Sequence, residues 1–256
     1  ERQLEYYEQM TKYDQSRADS VDTWNKLAMT YYQNGRYYKA EEGFRLLLKL
    51  EPGRPVMLQT LGNLAFIDGR YDEAWKLFDS VCALDSAYAS ARLQQAKIAA
   101  IKGDSAGALR LAEDYYGREK SEAAKIEFLL FMGDIHLARG KYHDSAQAEQ
   151  EFADALSYSE AAISKAPNEH AFKLRAGLAL LGLKDYTRAG QYLELALFLE
   201  QRSFYQSEIL LALGKLHDLK NDHAGAVRYY QEAVSGPSGV HQRQLGIKYI
   251  NEPYRR

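Results

Sequence analysis

The sequence predicts an all-α protein, a solenoid of antiparallel helix pairs. Three observations predict it: a period of 34 residues, helical apolar spacing within each period, and prolines confined to the boundaries. Residues 24–52 read WNKLAMTYYQNGRYYKAEEGFRLLLKLEP, and from Leu58 the chain runs LQTLGNLAFIDGRYDEAWKLFDSVCALDS. Leu27 aligns with Leu61, Ala28 with Gly62, Gly35 with Gly69, Tyr37 with Tyr71, Ala40 with Ala74 and Phe44 with Phe78, every pair 34 residues apart. A fixed period of this size marks one supersecondary unit copied along an axis.

Within the first repeat, Trp24, Leu27 and Tyr31 form one helical stripe, and Ala40, Phe44 and Leu47 form another. The polar segment Asn34-Gly35-Arg36 separates them, and its glycine suits the left-handed end of a helix. Small residues such as Ala40, Ala74 and Gly62 sit where helices must approach, while Tyr, Phe and Leu fill the wider gaps. The third repeat holds the frame with Gln95-Ala96, Gly103 and Ala108. The fourth arrives three residues late, with Met132-Gly133, His136, Gly140 and Tyr142. The rhythm then breaks: Gly35 to Pro52 spans 17 residues, but Gly140 to Pro167 spans 27. The frame resumes at Phe152-Ala-Asp-Ala155, which leaves an insertion at roughly 142–151. Ten residues rotate a helix by about 1000°, some 80° short of three full turns, so the expectation is a protruding elbow rather than a seamless helical extension.

The fifth repeat carries Ala176-Gly177, Tyr186, Ala189 and Ala196, and the sixth Leu213-Gly214, His217, Ala226, Tyr230 and Ala233. Residues 1–20, with Leu4, Tyr7, Met10 and Tyr13 on one stripe, read as a single N-terminal helix, a cap or half-repeat. Residues 21–240 then hold six hairpins, and 241–256 a C-terminal helix, Leu245-Gly246 to Tyr249, with a tail. Pro52, Pro55, Pro167, Pro237 and Pro253 all fall at boundaries or in the tail, where none incurs the ~3 kcal/mol of an interior helical proline.

The spacing W-x-x-L-G-x-x-Y, then A-x-x-x-F, then P, resembles the tetratricopeptide repeat. Trp24, Leu27, Ala28, Tyr31, Ala40, Phe44 and Pro52 depart from it only in Ala28 standing for Gly. The resemblance covers residues 21–240. It implies a right-handed superhelix whose first helices line a concave groove, and it implies no catalysis.

Composition agrees with a soluble globular chain, 46% hydrophobic and 27% charged. The net charge is −2 with no basic block beyond Arg255-Arg256, which argues against nucleic acid as partner. The longest apolar run, Ala176–Leu183, is too short for the ~18 residues of a membrane span. One cysteine excludes an internal disulfide. The chain begins on Glu, so it reads as a processed product or a piece, cytoplasmic or, if a targeting segment has been removed, periplasmic or exported.

Chemistry is sparse. Gly140-Lys141 lacks the spacing and the Ser or Thr of a phosphate loop. His136, Lys141, His143 and Asp144 hint at a metal, but His136 occupies the large framework slot of Tyr31 and reads as a packed histidine. His143-Asp144-Ser145 has triad residue types without triad geometry. His217 and His223 also fall on framework slots. Cys82 reads as a small buried hydrophobe. The expectation is no catalytic residue, no metal and no cofactor.

What the family resemblance implies for binding is an inner face on the first helices. Its residues here are Asn25, Met29 and Tyr32; Gln59, Asn63 and Phe66; Leu93, Lys97 and Ala100; Leu130, Asp134 and Leu137; Leu174, Leu178 and Leu181; then Leu211, Lys215 and Asp218. The early positions mix amides, a lysine and aromatics, as a surface for an extended peptide would; the fifth repeat is aliphatic, as for an amphipathic helix. Only Asn63 and Lys97 match loosely the clamp by which some members hold a chaperone's carboxylate tail, so that role is disfavoured. The expected function is a non-catalytic scaffold or adaptor binding a protein or peptide. The alternative is a structural subunit that assembles, as a homo-oligomer or with other proteins, through its ends or the 142–151 elbow.

Overall fold

The computed structural model describes residues 19–86, 88–142, 145–200, 203–236 and 239–255. Thirteen α-helices and no strand occur among them. The N-terminal stripe at Leu4–Tyr13 and the pair His143-Asp144 lie outside the described residues. The chain divides into two compact units, 1–119 and 120–256.

The first unit holds α1 (Asp19–Gln33), α2 (Tyr37–Leu50), α3 (Pro55–Ile67), α4 (Tyr71–Leu84), α5 (Ala89–Ile101) and α6 (Ser105–Arg118). Each odd helix packs with the even helix after it, and neighbouring hairpins stack. The second unit holds α7 (Glu122–Arg139), α8 (Ser145–Lys165), α9 (His170–Gly182), α10 (Tyr186–Leu199), α11 (Ser203–Leu219), α12 (His223–Ser235) and the unpaired α13 (Val240–Asn251). There α9 packs on α8 and α7, α11 on α10 and α9, and α13 on α12 and α11.

One turn geometry recurs. Gly35, Gly69 and Gly103 adopt left-handed φ of 71°, 75° and 88°. The next residue's N–H reaches back to close the helix: Arg36 to Tyr31 O at 2.9 Å, Arg70 to Ala65 O at 2.8 Å, Asp104 to Ala99 O at 2.9 Å. In the second unit the left-handed position is taken by Lys184 (φ 64°) and Asn221 (φ 62°), with the same closing bonds from Asp185 and Asp222. Asp104, Asp185 and Asp222 then cap the next helix, accepting from the N–H of Gly107, Arg188 and Gly225.

The two helices of a hairpin meet where a small residue lies beneath a larger one 16 positions later. A Cβ at Gly62 would sit 2.5 Å from the Phe78 ring, and one at Gly177 would sit 2.6 Å from Leu193; Gly214 stands likewise under Tyr230. Phe78, Leu193 and Tyr230 are fully buried, each gaining about 1.5–3 kcal/mol from burial. Outside the helix pairs, Arg45 and Arg70 bridge Glu41 of α2 to Glu73 of α4 and staple adjacent hairpins.

The elbow expected at 142–151 is corrected. Residues 145–151 belong to α8, which runs for 21 residues where α2, α4, α6 and α10 run for 14. The rotation argument applies to residues inserted inside a packed helix. Here they join its N-terminal end, so Ala155, Ser159 and Ala162 keep their phase and remain buried. Glu151 anchors the added turns, with Oε1 2.7 Å from Arg139 Nη2 and Oε2 2.7 Å from His136 Nδ1.

Gly62→Ala gains about 1 kcal/mol of helix propensity but overpacks Phe78 at a cost of about 1–3 kcal/mol, so it lowers the urea midpoint. Gly117→Ala, which meets nothing within 4 Å, raises it. The hydrogen bond to His217, then the Gly225 N–H, holds the Asp222 carboxyl below the ordinary aspartate range. Its contribution is complete above the unfolded-chain value of about 3.9 and disappears as pH falls through the lower folded value. The stability gap between Asp222→Ala and the parent chain should therefore be full at neutral pH and narrow only on strong acidification, as measured by urea melts across pH.

Candidate functional site

In the first unit, the inner-face residues Asn25, Met29, Tyr32, Gln59, Asn63, Phe66, Lys97 and Ala100 are all half-buried, whereas Leu93 is only 4% exposed and belongs to the interior. The aromatics are braced by their own hairpins. Tyr32 packs on Tyr37 with ring centroids 5.9 Å apart, and Phe66 meets Tyr71 edge-on at 5.6 Å. Gln59 Nε2 donates to Asn63 Oδ1 at 3.5 Å, a long bond that leaves most of the Asn63 amide's capacity unspent. No ion pair engages the Lys97 ammonium among the described residues. The surface thus offers amide and ammonium donors between fixed rings.

The second unit departs further from expectation. Leu174 is 4% exposed, packed in one cluster with Leu181, Leu193 and Leu213, and is out of a partner's reach. Leu211 is buried as well. Asp134 is already spent: Arg175 donates to both of its oxygens, from Nε at 2.6 Å and Nη2 at 2.9 Å. The sequence could not reveal this pair, because its members lie 41 residues apart on α7 and α9. Leu130 and Leu178 remain half-buried and available. Asp218 is a buried hub rather than a groove residue. It accepts from Tyr230 Oη at 2.8 Å and from the Tyr254 N–H at 2.8 Å, and it lies 2.7 Å from His223 Nδ1.

Leu137, Leu178, Leu181 and Lys215 come together on a cavity of about 780 Å³. The extended α8 forms one wall through Ala148, Glu149 and Phe152, and Tyr254 and Arg255 form another. The Phe152 ring lies against both Gly140 and Gly182, each of which a Cβ would drive into it. Lys141, Lys184, Lys215 and Arg255 put four cations on the lining, and no ion pair engages any of them among the described residues. The Lys215 ammonium lies 5.5 Å from the centroid of Tyr249 and 5.1 Å from that of Tyr254. Burial, then the nearby Lys141 charge, pushes it below the ordinary lysine range, against a smaller pull from Glu208.

Lys184 is costly where it stands. A non-glycine residue in the left-handed region loses about 1–2 kcal/mol, while a cation after a helix C-terminus recovers only about 0.3–1 kcal/mol from the dipole. Glycine serves the same turn in all three hairpins of the first unit. The sequence gives no sign that Lys141, Lys184 and the Tyr254-Arg255 wall share this cavity, because they lie in turns and a tail, outside the helical period.

The remaining chemistry-bearing side chains are structural. His136 is 7% exposed, bonded to Glu151 and stacked on Tyr158 with centroids 5.4 Å apart. Cys82 is buried, and burial raises its thiol's pKa, away from reactivity. Among the described residues no group of three or more His, Cys, Asp or Glu could hold a metal, and no helix is long and apolar enough to cross a membrane.

Two tetratricopeptide repeat family profiles match the chain, over residues 21–54 and 144–204. No curated protein matches it by sequence. Among solved structures, it is similar to a tetratricopeptide repeat protein from Parabacteroides merdae, with TM-score 0.70 at 11% identity, covering 95% of this chain and 91% of that one. PilW, described as a widely conserved type IV pilus biogenesis factor, gives 0.72 at 13% identity over 91% and 100% of the two chains. The human IFIT1 dimer with PPP-AAAA gives 0.70 at 14% over 97% and 58%. At these identities the likeness is one of fold.

Proposed function

This chain is a tetratricopeptide repeat protein, of a fold that serves generally as a protein-interaction scaffold, and on that premise we propose that it is a non-catalytic adaptor whose first helices hold a peptide or helix of a partner protein. The observation that carries this reading is the inner face of the first unit. Asn63 and Lys97 keep hydrogen-bonding capacity that the fold does not consume, beside Tyr32 and Phe66, whose rings are already fixed by Tyr37 and Tyr71. Rigid aromatic area beside free donors binds an extended backbone at low ordering cost. Half-buried Met29 adds apolar contact on the same face. Assembly through 142–151 is the second reading: Tyr142 is exposed there, while Ala148 and Glu151 are buried against their own unit.

Affinity capture from the native organism tests this, with the parent chain and Asn63→Ala/Lys97→Ala side by side. The partner retained by the parent should be lost by the double variant, each lost charged or polar contact weakening binding by about threefold to tenfold or more. Asp134→Ala, whose carboxylate is held by Arg175, should capture the partner unchanged. A partner retained equally by all three chains would move the binding surface elsewhere.

A further inference from the structure

Resting on that reading of the inner face, we propose that the cavity of the second unit seats an acidic segment of a partner protein, its apolar side chain on the half-buried Leu178, Leu183 and Leu219 and its flanking carboxylates on Lys141, Lys184 and Lys215. The three lysines come from separate places, the turns after α7 and α9 and the body of α11, and converge on one opening. The chain as a whole is slightly acidic, at −2, so this concentration of positive charge does not come from composition. Among the described residues Glu149 is the one carboxylate on the lining, which stays strongly cationic once Arg255 is counted.

Stability does not account for the arrangement. Lys184 keeps a left-handed backbone that glycine fills without strain at the equivalent turns of the first unit. Strain of this kind is characteristic of ligand clamps, where the side chain serves the site and not the fold. Lys215 is held between the Tyr249 and Tyr254 rings, and the Asp218 bond to the Tyr254 N–H fixes that wall. Burial first, and then the Lys141 charge, disfavours the Lys215 ammonium, and an incoming carboxylate would offset both.

The floor discriminates between anions. Among the described residues its lining is largely aliphatic; Phe152 is 5% exposed and pressed against Gly140 and Gly182, and the Tyr254 ring on the wall is engaged by Lys215 and set edge-on to Tyr249, so neither ring is a free stacking platform for a base. A leucine or similar side chain between two carboxylates matches both the floor and the rim, and the volume lies within the roughly 300–1,000 Å³ of ligand-sized clefts.

Fluorescence anisotropy with a short peptide alternating glutamate and leucine tests this, beside its glutamine–leucine counterpart and an oligo-adenylate of equal charge. The glutamate peptide should bind at least about tenfold more tightly than either control and weaken as salt rises. Lys184→Gly should weaken it severalfold while raising the melting temperature by about 2–4 °C, a pairing that a purely structural lysine would not produce. Lys141→Gln/Lys215→Met should weaken it further, with helicity by circular dichroism confirming the fold. Equal affinity for glutamate and glutamine peptides, preference for the oligo-adenylate, or unchanged binding by Lys184→Gly would each overturn the proposal. If the captured natural partner is lost by Asn63→Ala/Lys97→Ala but kept by both lysine variants, the inner-face reading stands and the acidic-segment proposal fails. A partner kept by both sets removes both.

Discussion

Everything in this chain depends on how closely two helices of a hairpin can approach. The approach is set by a small residue on the first helix lying under a larger one 16 residues on, as Gly62 lies under Phe78, Gly177 under Leu193 and Gly214 under Tyr230. An isolated hairpin closed in this way still exposes the outer faces of its core residues, so it needs a neighbour, and the neighbour needs another. The period of 34 is the length of one such hairpin with its two turns. Its recurrence is a packing requirement, and the residues that satisfy it are unavailable for anything else.

Function is therefore confined to positions the packing leaves over, and the two units leave over different things. In the first, hairpins meet without extra elements, and the inner face keeps amides and an ammonium among braced aromatic rings. In the second, α8 is lengthened at its free end, Phe152 is pressed against two glycines, and the segment after α13 returns to Asp218. The result is a walled cavity where the first unit has open turns. The insertion costs little because it adds turns to a helix end, where phase is not constrained, and because Glu151 ties them to His136 and Arg139.

The polar groups inside the second unit illustrate how a helical array spends charge. Asp218 with Tyr230, His223 and the Tyr254 N–H is a closed set, a buried carboxylate matched to donors from neighbouring elements, and at the surface Asp134 is paired with Arg175. Buried or half-buried carboxylates must be matched so, since an unpaired one would carry its full desolvation cost. Lys141, Lys184 and Lys215 stand apart from this economy. Their charges face a common opening, and one of them holds a backbone conformation unfavourable to its own residue type.

The sequence by itself determined the helices, the hairpin order, the turn glycines of the first unit and the small-over-large register, because each is a local matter of spacing: period 3.6 within a helix, 34 between the first three repeats, a left-handed glycine at Gly35, Gly69 and Gly103. Only the tertiary structure decided that Asp134 is held by Arg175, that Leu174 and Leu211 are interior, that 145–151 extend α8, and that lysines from two turns and a helix share one cavity with Tyr254. Each of these joins residues 40 or so positions apart, or turns on which end of a helix receives an insertion. Periodicity states which face of a helix is apolar; it does not state what stands opposite that face, and the chemistry of a site is made by what stands opposite.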